Sequence, residues 1–251
     1  INTPHGIHME SVKTPPFSPR MIPNILKDLY TGMVDLIYPP LCLICDNRLE
    51  QGYSELCPTC LANFKLIGKS HKQFSIPGDV HISTAWALFE FDDPFQNLIH
   101  HLKYSRRRKP IGVVLNHFKS QILDQLPENE IDLVVSIPLH PRKLRERGYN
   151  QVDDMSLWLA ESLKTTLGSH LVKRTKYTST QTKLSASERV ENVRAAFGVT
   201  DGSAVNDKHI LLVDDVLTTG ATSNTLASVL KEFGARKIDL ITLSTPQFGS
   251  A

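Results

Sequence analysis

The amino-acid sequence predicts an α/β protein with a mostly parallel sheet flanked by helices, preceded by a small module that carries four cysteines. After residue 81, short apolar strands alternate with amphipathic helical segments, as they do in parallel βαβ units. The segment DLVVSIP at 132–138 is short and almost continuously apolar, which is typical of a parallel strand covered on both faces. The four cysteines form two close pairs ahead of this region.

The N-terminal part of the chain contains three predicted segments. Residues 1–22 are rich in proline, serine and histidine and show no hydrophobic period, so we expect a disordered leader there. Apolar residues at 25–37 recur at helical spacing, and two prolines end the predicted helix. We therefore place a helix and the cysteine module at 23–67. Glycine, serine and proline at 68–80 predict a linker.

The cysteine spacing is C-x2-C-x11-C-x2-C, and the candidate metal ligands are Cys42, Cys45, Cys57 and Cys60. Two Cys-x-x-Cys turns can offer four thiolates to one tetrahedral ion, so the spacing favours a structural Zn²⁺ site of the zinc-ribbon kind. Iron suits the same ligands and is an alternative. Two disulfides fit poorly, because we expect no export signal. A redox Cys-x-x-Cys also fits poorly, because no thioredoxin-like βαβ pattern surrounds either pair.

Residues 81–246 are predicted to form the larger domain. We expect Asn150 to cap the helix that follows it, and Ser185 with Glu188 to form a capping box. The predicted strands lie at 83–91, 132–138, 170–174, 209–214 and 238–245, and the predicted helices lie at 95–104, 113–123, 150–163 and 222–233.

The segment ILLVDDVLTTGAT at 210–222 places two acids at the end of an apolar strand. Ligands of open α/β sheets bind beyond the carboxyl ends of the strands, so Asp214 and Asp215 lie at a predicted binding edge. A buried carboxylate pair needs donors, either from the protein or from a ligand, and a ribose offers two adjacent hydroxyls as donors. The hydroxyl-rich loop that follows leads into a helix whose first N–H groups favour an anion. The pattern therefore predicts a site for a ribose 5-phosphate.

Two other interpretations of this segment compete. Threonines can cap the following helix and an aspartate can satisfy backbone groups, which accounts for one acid and one threonine but not for the whole run. The strand also resembles the acidic strand of a P-loop ATPase, which requires a G-x-x-x-x-G-K-[ST] loop. The nearest stretch, NFKLIGKS at 63–70, has asparagine in place of the first glycine and follows the cysteine module, so we discount it.

The strand, the acid pair and the T-T-G-A-T loop resemble the PRPP-binding motif of type I phosphoribosyltransferases. The stretches SIPLHPRKLRERGYNQ at 136–151 and QTKLSASERVENVRAAF at 181–197, with the cysteine module, extend the resemblance to the ComF family over about residues 30–246. ComF proteins are linked to competence and DNA utilisation and resemble amidophosphoribosyltransferases. Tyr149 stands where members commonly carry phenylalanine.

The resemblance implies specific roles for the residues of the motif. Asp214 and Asp215 would hold the ribose of Mg²⁺-bound PRPP. The 5′-phosphate would be held by Thr218, Thr219, Gly220, Ala221 and Thr222.

The resemblance further implies that the loop after the strand at 132–138 binds the pyrophosphate. Its cations lie beside a strand end and suit a diphosphate with its Mg²⁺, although a solvated basic loop is the alternative. The candidate residues are Ser136, Ile137, Pro138, Arg142 and Arg147, with Lys143 and Arg145 beside them.

A flexible covering loop is implied around Gln181, Arg189 and Asn192. Such a lid would exclude water from a reactive sugar cation. Helix capping by Ser185 and Glu188 is the alternative explanation for part of this segment.

A separate basic run contains Lys103, Tyr104, Arg106, Arg107 and Arg108. Its cations could follow the backbone of single-stranded DNA while the aromatic ring stacks on a base. A solvated turn between two helices is the alternative.

Composition limits the function only broadly. A net charge of +2 and 41% hydrophobic residues describe an ordinary globular protein and indicate no partner. No apolar run approaches the roughly 20 residues that span a bilayer, so we expect no membrane insertion and a cytoplasmic location.

We expect a ComF-type protein that binds Mg²⁺-PRPP and takes part in DNA uptake or in the use of DNA as a nutrient. Its candidate partners are PRPP or a related ribose phosphate, single-stranded DNA, and competence or DNA-translocation proteins. The alternative is an active phosphoribosyltransferase of nucleotide metabolism or salvage that does not bind DNA. No catalytic base is identifiable in the sequence, so the sequence does not decide between binding and catalytic transfer.

Overall fold

The computed structural model describes residues 29, 32–50, 52–53, 55–67, 80–104, 109–127, 130–174 and 196–246. The predicted leader at 1–22 lies outside the described residues. The chain divides into two compact units, Ile1–Pro40 and Leu41–Ala251. Within the first unit, residues 32–37 are helical, as their apolar spacing predicts.

Parallel strands form the central sheet of the second unit, as the alternation of strands and helices predicts. The described strands are β1 (Thr84–Glu90), β2 (Leu133–Ser136), β3 (Thr166–Leu167), β4 (Val172–Arg174), β5 (Phe197–Val199), β6 (His209–Val216) and β7 (Lys237–Thr245). Five of them form one sheet in the order β1-β7-β6-β2-β3, and all neighbours in it are parallel. β4 and β5 form a separate antiparallel ribbon.

Helices connect the strands and cover the sheet. The helices described in this unit are α1 (Pro58–Ala62), α2 (Asp93–Tyr104), α3 (Lys109–His117), α4 (Lys119–Leu123), α5 (Pro141–Arg147), α6 (Asp153–Leu163) and α7 (Ala221–Glu232). Within the described residues, none of the helices has the length and apolar character that crossing a bilayer requires.

One predicted helix is divided in two. The sequence predicts a single helix at 113–123, but Phe118 leaves helical geometry with φ −102° and ψ 18° between α3 and α4. Its ring packs against the buried ring of Phe89, with the ring centroids 5.2 Å apart. The break in the helix coincides with this ring contact.

The start of α6 also differs from the prediction. The sequence predicts Asn150 as the helix cap, but Val152 occupies that position and α6 begins at Asp153. The buried Asn150 amide donates instead to the Ile137 carbonyl oxygen at 3.1 Å and to Asp153 Oδ1 at 3.2 Å. These bonds join the loop after β2 to the start of α6.

Alternate residues of the central strands face two hydrophobic layers. Leu211 and Val213 of β6 belong to a layer that contains the buried faces of α2, α3 and α6. Ile210 and Leu212 belong to the opposite layer, which contains the buried face of α7. The period of two follows from strand geometry, and the coverage of both faces explains why the middle of β6 is continuously apolar from Ile210 to Val213.

The cysteine module shares the first of these layers. Leu61 and Phe64 are buried together with Phe89 and Phe95. The ring of Phe64 meets those of Phe89 and Phe95 edge-on, at centroid distances of 6.4 and 5.5 Å. The compact unit that begins at residue 41 contains both the cysteines and the sheet. The division into domains at 23–67 and 81–246 stays a prediction.

Backbone hydrogen bonds join the same module to the outer strand of the sheet. The N–H of Ile67 donates to the Leu88 carbonyl oxygen at 2.7 Å, and the N–H of Glu90 donates to the Lys65 carbonyl oxygen at 2.9 Å. Residues 65–67 therefore run along the outer edge of β1.

A buried ionic cluster lies at the end of the sheet where β6 and β7 begin. His209 is fully buried, with its two ring nitrogens 2.8 Å from the Glu130 carbonyl oxygen and 2.7 Å from Asp239 Oδ2. The ammonium of Lys237 lies 3.3 Å from the same carboxylate oxygen. The Asp239 carboxylate thus lies between His209 and Lys237 at this end of the sheet. The opposite end of the sheet carries a cavity.

Candidate functional site

A cavity of about 310 Å³ lies at the carboxyl ends of β2 and β6, where ligands of parallel α/β sheets bind. One part of its wall is the continuous segment 214–223, from the end of β6 to the first turn of α7. The rest of the wall is formed by Lys103, Ile137, Pro138, Leu139, Lys143, Arg147, Asn150, Gln151 and Arg174.

The acid pair lies in this wall and is held asymmetrically. The N–H of Asp215 donates to Asp214 Oδ1 at 2.9 Å, and the N–H of Val216 donates to Asp215 Oδ1 at 2.7 Å. Asp215 Oδ2 accepts from Lys103 Nζ at 2.8 Å and from Gln151 Nε2 at 2.6 Å. Asp215 is therefore neutralised by a lysine, while the cavity beside it stays open.

The electrostatics of the pair follow from these contacts. Burial and the neighbouring charge of Asp215 raise the pKa of Asp214 from 3.8 to about 7. Burial also raises the pKa of Asp215, but the Lys103 ammonium and the Gln151 amide outweigh it, and the pKa falls below its ordinary value. Two carboxylates this close disfavour double ionisation, so the firm negative charge resides on Asp215.

The hydroxyl-rich loop turns from β6 into α7 along the cavity, and all five predicted residues from Thr218 to Thr222 line it. Gly220 occupies the N-cap of α7 with φ 69° and ψ 2°, a left-handed conformation that favours glycine. The Thr219 hydroxyl accepts a long hydrogen bond of 3.4 Å from the Ala221 N–H at the start of α7. The capping interpretation therefore accounts for one threonine of the run.

The predicted pyrophosphate loop lies only partly in the wall. Ile137, Pro138 and Arg147 line the cavity, together with Lys143. Ser136 is 3% exposed, and its hydroxyl donates to Asp153 Oδ1 at 2.7 Å.

Arg142 also lies outside the cavity wall. Its Nε donates to Glu146 Oε1 at 3.0 Å, and both of these side chains are well exposed. Ser136 and Arg142 thus both have local partners. The Ser136 hydroxyl joins the end of β2 to the start of α6. Arg142 forms an i,i+4 pair with Glu146 on the solvent side of α5.

The structure brings Lys103 into the cavity, although the sequence assigns it to a nucleic-acid-binding run. The sequence contains an indication of this placement. Leu102 belongs to the buried stripe of α2, and Lys103 follows it, so Lys103 lies at the border of that stripe. Tyr104 is 66% exposed and lies 4.8 Å from His100, measured between ring centroids. Arg106, Arg107 and Arg108 lie outside the described residues.

Arg174 is a cavity residue that the sequence analysis did not single out. It ends β4, and its guanidinium lies 5.5 Å from the centroid of the Phe197 ring of β5. Burial lowers the pKa of Arg174, and the charge of Asp214 opposes this shift. The β4–β5 ribbon thus supplies a cation that interacts with the acid pair.

The same ribbon flanks residues 175–195. The predicted covering-loop residues Gln181, Arg189 and Asn192 fall in this range and lie outside the described residues.

The four cysteines form a separate cluster. Their sulfurs all lie within 4.8 Å of one another, and Cys45 Sγ lies 3.8 Å from Cys57 Sγ. Tetrahedral Zn²⁺ with bonds of about 2.3 Å separates its sulfurs by about 3.8 Å. The N–H groups of Cys57 and Cys60 donate to the sulfurs of Cys42 and Cys57, at 3.3 and 3.4 Å. Such donors stabilise metal-bound thiolates.

The electrostatics of this cluster also favour a cation. Burial and the neighbouring sulfurs raise the pKa of the Cys60 thiol. Burial raises the pKa of Cys42 as well, but backbone N–H groups outweigh it and lower the pKa to about 7. A bound cation would stabilise the charged form of Cys60, so the geometry and the charge of the cluster both favour a structural Zn²⁺.

Comparisons with known proteins agree with both sites. The family model of the Phosphoribosyl transferase domain matches residues 153–247, and that of the Double zinc ribbon domain matches residues 33–71. The chain is 30% identical to the DNA utilization protein YhgH of Escherichia coli (strain K12), over 82% of this chain and 96% of the relative.

Two further likenesses are more distant. The Competence protein ComFC of Streptococcus pneumoniae is 28% identical, over 81% of this chain and 86% of the relative. The solved structure of adenine phosphoribosyltransferase from Leishmania tarentolae is matched with a TM-score of 0.36 and 12% identity, over 79% of this chain and 91% of that chain. On the near full-length match to the Escherichia coli relative, together with the zinc ribbon and the phosphoribosyltransferase domain, the chain belongs to the ComF family.

Proposed function

We propose that the cavity binds PRPP as its Mg²⁺ complex and that the protein takes part in DNA uptake or in the use of DNA as a nutrient. One observation carries the first part of the proposal: a single cavity joins an acid pair, the N-terminus of α7 and several cations. A ribose diol, a 5′-phosphate and a diphosphate are the complementary groups of PRPP.

The acids suit the diol. Asp214 Oδ2 has only a long contact of 3.4 Å with the Ser223 hydroxyl, which leaves it able to accept a stronger hydrogen bond. Hydrogen bonds to charged groups contribute about 1.5–3 kcal/mol each. Two ribose hydroxyls that donate to the pair would relieve its mutual repulsion, because donors favour the charged form of a carboxyl.

The start of α7 suits the 5′-phosphate. The first N–H groups of a helix have no partner inside the helix, and the helix dipole favours an anion there. The segment from Thr218 to Thr222 adds three hydroxyl groups, and Gly220 allows the backbone to approach the ligand.

The cations suit the diphosphate. Lys143, Arg147 and Arg174 line the cavity and interact with phosphate oxygens as point charges or as bidentate guanidinium groups. Mg²⁺ is commonly bound by one or two carboxylates together with substrate phosphates. Asp214 and Asp215, next to a bound diphosphate, fit this ligand preference.

Neutralising both acids tests the proposal. We expect Asp214→Asn with Asp215→Asn to weaken Mg²⁺-PRPP binding at least about 100-fold in calorimetry, because two charged acceptors are lost. Asp207→Asn is the matched control: Asp207 is an exposed acid with φ 57°, a conformation that asparagine tolerates. Unchanged affinity in the double variant, with the fold intact, would refute the proposal.

The part of the proposal that concerns DNA is supported by the names of the relatives and by the basic run. Lys103 is engaged in the cavity, so Tyr104 and Arg106 to Arg108 are the residues left to contact a strand. We expect single-stranded DNA affinity to fall steeply with salt and to be weakened by neutralising Arg106 to Arg108. Binding that is absent, or that does not depend on salt, would count against this role.

A second candidate is transfer of the phosphoribosyl group to a nitrogen nucleophile. The match of the Phosphoribosyl transferase domain to residues 153–247 favours it. The chain would orient the sugar and stabilise the departing pyrophosphate. Release of pyrophosphate from Mg²⁺-PRPP that accelerates on addition of ammonia or a nucleobase would support transfer. Release at the rate of spontaneous hydrolysis would leave binding as the function.

A further inference from the structure

We propose that Lys103 determines the ligand specificity of the cavity. Its ammonium pairs with Asp215 in the structure, gives way to the ribose diol, and then pairs with a second anionic group of the ligand. The cavity would thereby select ribose 5-phosphates that carry a diphosphate over ribose 5-phosphate itself. This inference rests on the proposed function and concerns the same site.

The first step concerns the accepting capacity of Asp215. A carboxylate oxygen has two acceptor positions. Both positions of Oδ2 are used, by Lys103 Nζ at 2.8 Å and Gln151 Nε2 at 2.6 Å. Oδ1 already accepts from the Val216 N–H at 2.7 Å. A diol hydroxyl that donates to Oδ2 must therefore replace one of its two partners.

The second step identifies the partner that leaves. Gln151 is 3% exposed, and its Oε1 accepts from Arg147 Nη1 at 2.9 Å, so both ends of its amide are held. The Lys103 side chain is 22% exposed and ends a flexible four-carbon stem. The ammonium is therefore the partner that exchanges with a ligand hydroxyl.

The third step concerns where the ammonium goes. The neighbouring residue Leu102 is buried, and its carbonyl oxygen accepts a hydrogen bond from the Tyr149 hydroxyl. The backbone beside Lys103 is thus held, and the exchange requires movement of the Lys103 side chain alone. A partly buried ammonium without a partner is unfavourable, so after exchange it needs another anion inside the cavity.

The fourth step concerns which anion is available. The 5′-phosphate is proposed to lie at the start of α7. Arg147 belongs to the predicted pyrophosphate loop and is joined through Gln151 to the same Asp215 oxygen that Lys103 contacts. A diphosphate beside Arg147 therefore lies at the Lys103 end of the cavity. Ribose 5-phosphate offers no anion there, and its binding leaves the displaced ammonium unpaired.

Calorimetry with two ligands tests the inference. Wild type, Lys103→Met and Lys103→Arg would each be titrated with Mg²⁺-PRPP and with ribose 5-phosphate. We expect Lys103→Met to bind ribose 5-phosphate about threefold more tightly and Mg²⁺-PRPP more weakly, so that the ratio of the two affinities falls at least tenfold. Lys103→Arg keeps the charge and is expected to retain most of the preference for PRPP.

Lys143→Met is the matched control, because Lys143 also lines the cavity but projects from α5. It is expected to weaken Mg²⁺-PRPP without tightening ribose 5-phosphate. Equal changes for both ligands in Lys103→Met, in either direction, would overturn the inference. Wild-type protein that binds neither ligand would refute the proposed function itself, and the inference with it.

Discussion

Asp214→Asn is expected to make the protein more stable while it weakens ligand binding. The substitution keeps the shape of the side chain, and the asparagine oxygen can still accept from the Asp215 N–H. The substitution removes the negative charge of Asp214. Burial and the charge of Asp215 disfavour that negative charge, and they raise the pKa of Asp214 from 3.8 to about 7. We therefore expect the charge of Asp214 to destabilise the folded state, as charged groups of functional sites often do.

The magnitude and its pH dependence follow from that shift. The folded state keeps the Asp214 proton up to about pH 7, while the unfolded chain releases it near 3.8. The folded state therefore binds more protons between these values, and wild-type stability falls as pH rises through the window. The full shift corresponds to about 4 kcal/mol. We expect about 1–2 kcal/mol, because Asp214 is only partly buried by surface area and solvent screens the repulsion.

Urea denaturation of both proteins at several pH values between 4 and 8.5 measures the effect. We expect the variant to gain stability relative to wild type as pH rises from about 4 to 7, and the difference to be constant above that. Calorimetry on the same samples should show weaker Mg²⁺-PRPP binding. A variant that is less stable than wild type at pH 8, or a difference that does not change with pH, would refute this account of the acid pair.

Two further substitutions test the zinc ribbon and the support of α2. Cys45→Ser removes an exposed metal ligand, and elemental analysis should show loss of the bound zinc. We expect the free energy of unfolding to decrease by about 4 kcal/mol, or the melting temperature by roughly 10 °C. An unchanged melting curve would contradict the metal site. Tyr149→Phe removes the hydroxyl that donates to the Leu102 carbonyl oxygen, and we expect the free energy of unfolding to fall by about 1 kcal/mol. Tyr53 is half-exposed, so Tyr53→Phe is a control that should not change stability. Equal effects of the two substitutions would argue against the contact.

The parts of the site that the sequence predicts are those whose residues are consecutive. Asp214, Asp215 and the loop from Thr218 to Thr222 follow one another from a strand into a helix, so their shared wall follows from local geometry. The cysteine pairs are predictable for a similar reason, because metal coordination requires a fixed spacing.

The parts that the sequence does not predict depend on distant contacts. Lys103 lies in a run of basic residues, and its place beside the buried stripe of α2 is visible in the sequence, but its pairing with Asp215 depends on how α2 packs against the sheet. Arg174 enters the cavity because β4 pairs with β5 across a long intervening segment. The union of the cysteine module with the sheet rests on Phe64 meeting Phe89 and Phe95, which no local pattern reveals.

The strip at residues 65–67 has a consequence for solubility. β1, with the sequence TAWALFE, is an outer strand whose uncovered backbone groups would be a template for pairing with another chain. The strip occupies that position and is anchored by the metal-bound module next to it. We therefore expect zinc to protect the outer edge of β1 from pairing with another chain. Protein stripped of its metal should form β-rich aggregates before the rest of the sheet unfolds, and light scattering should rise ahead of the loss of sheet signal.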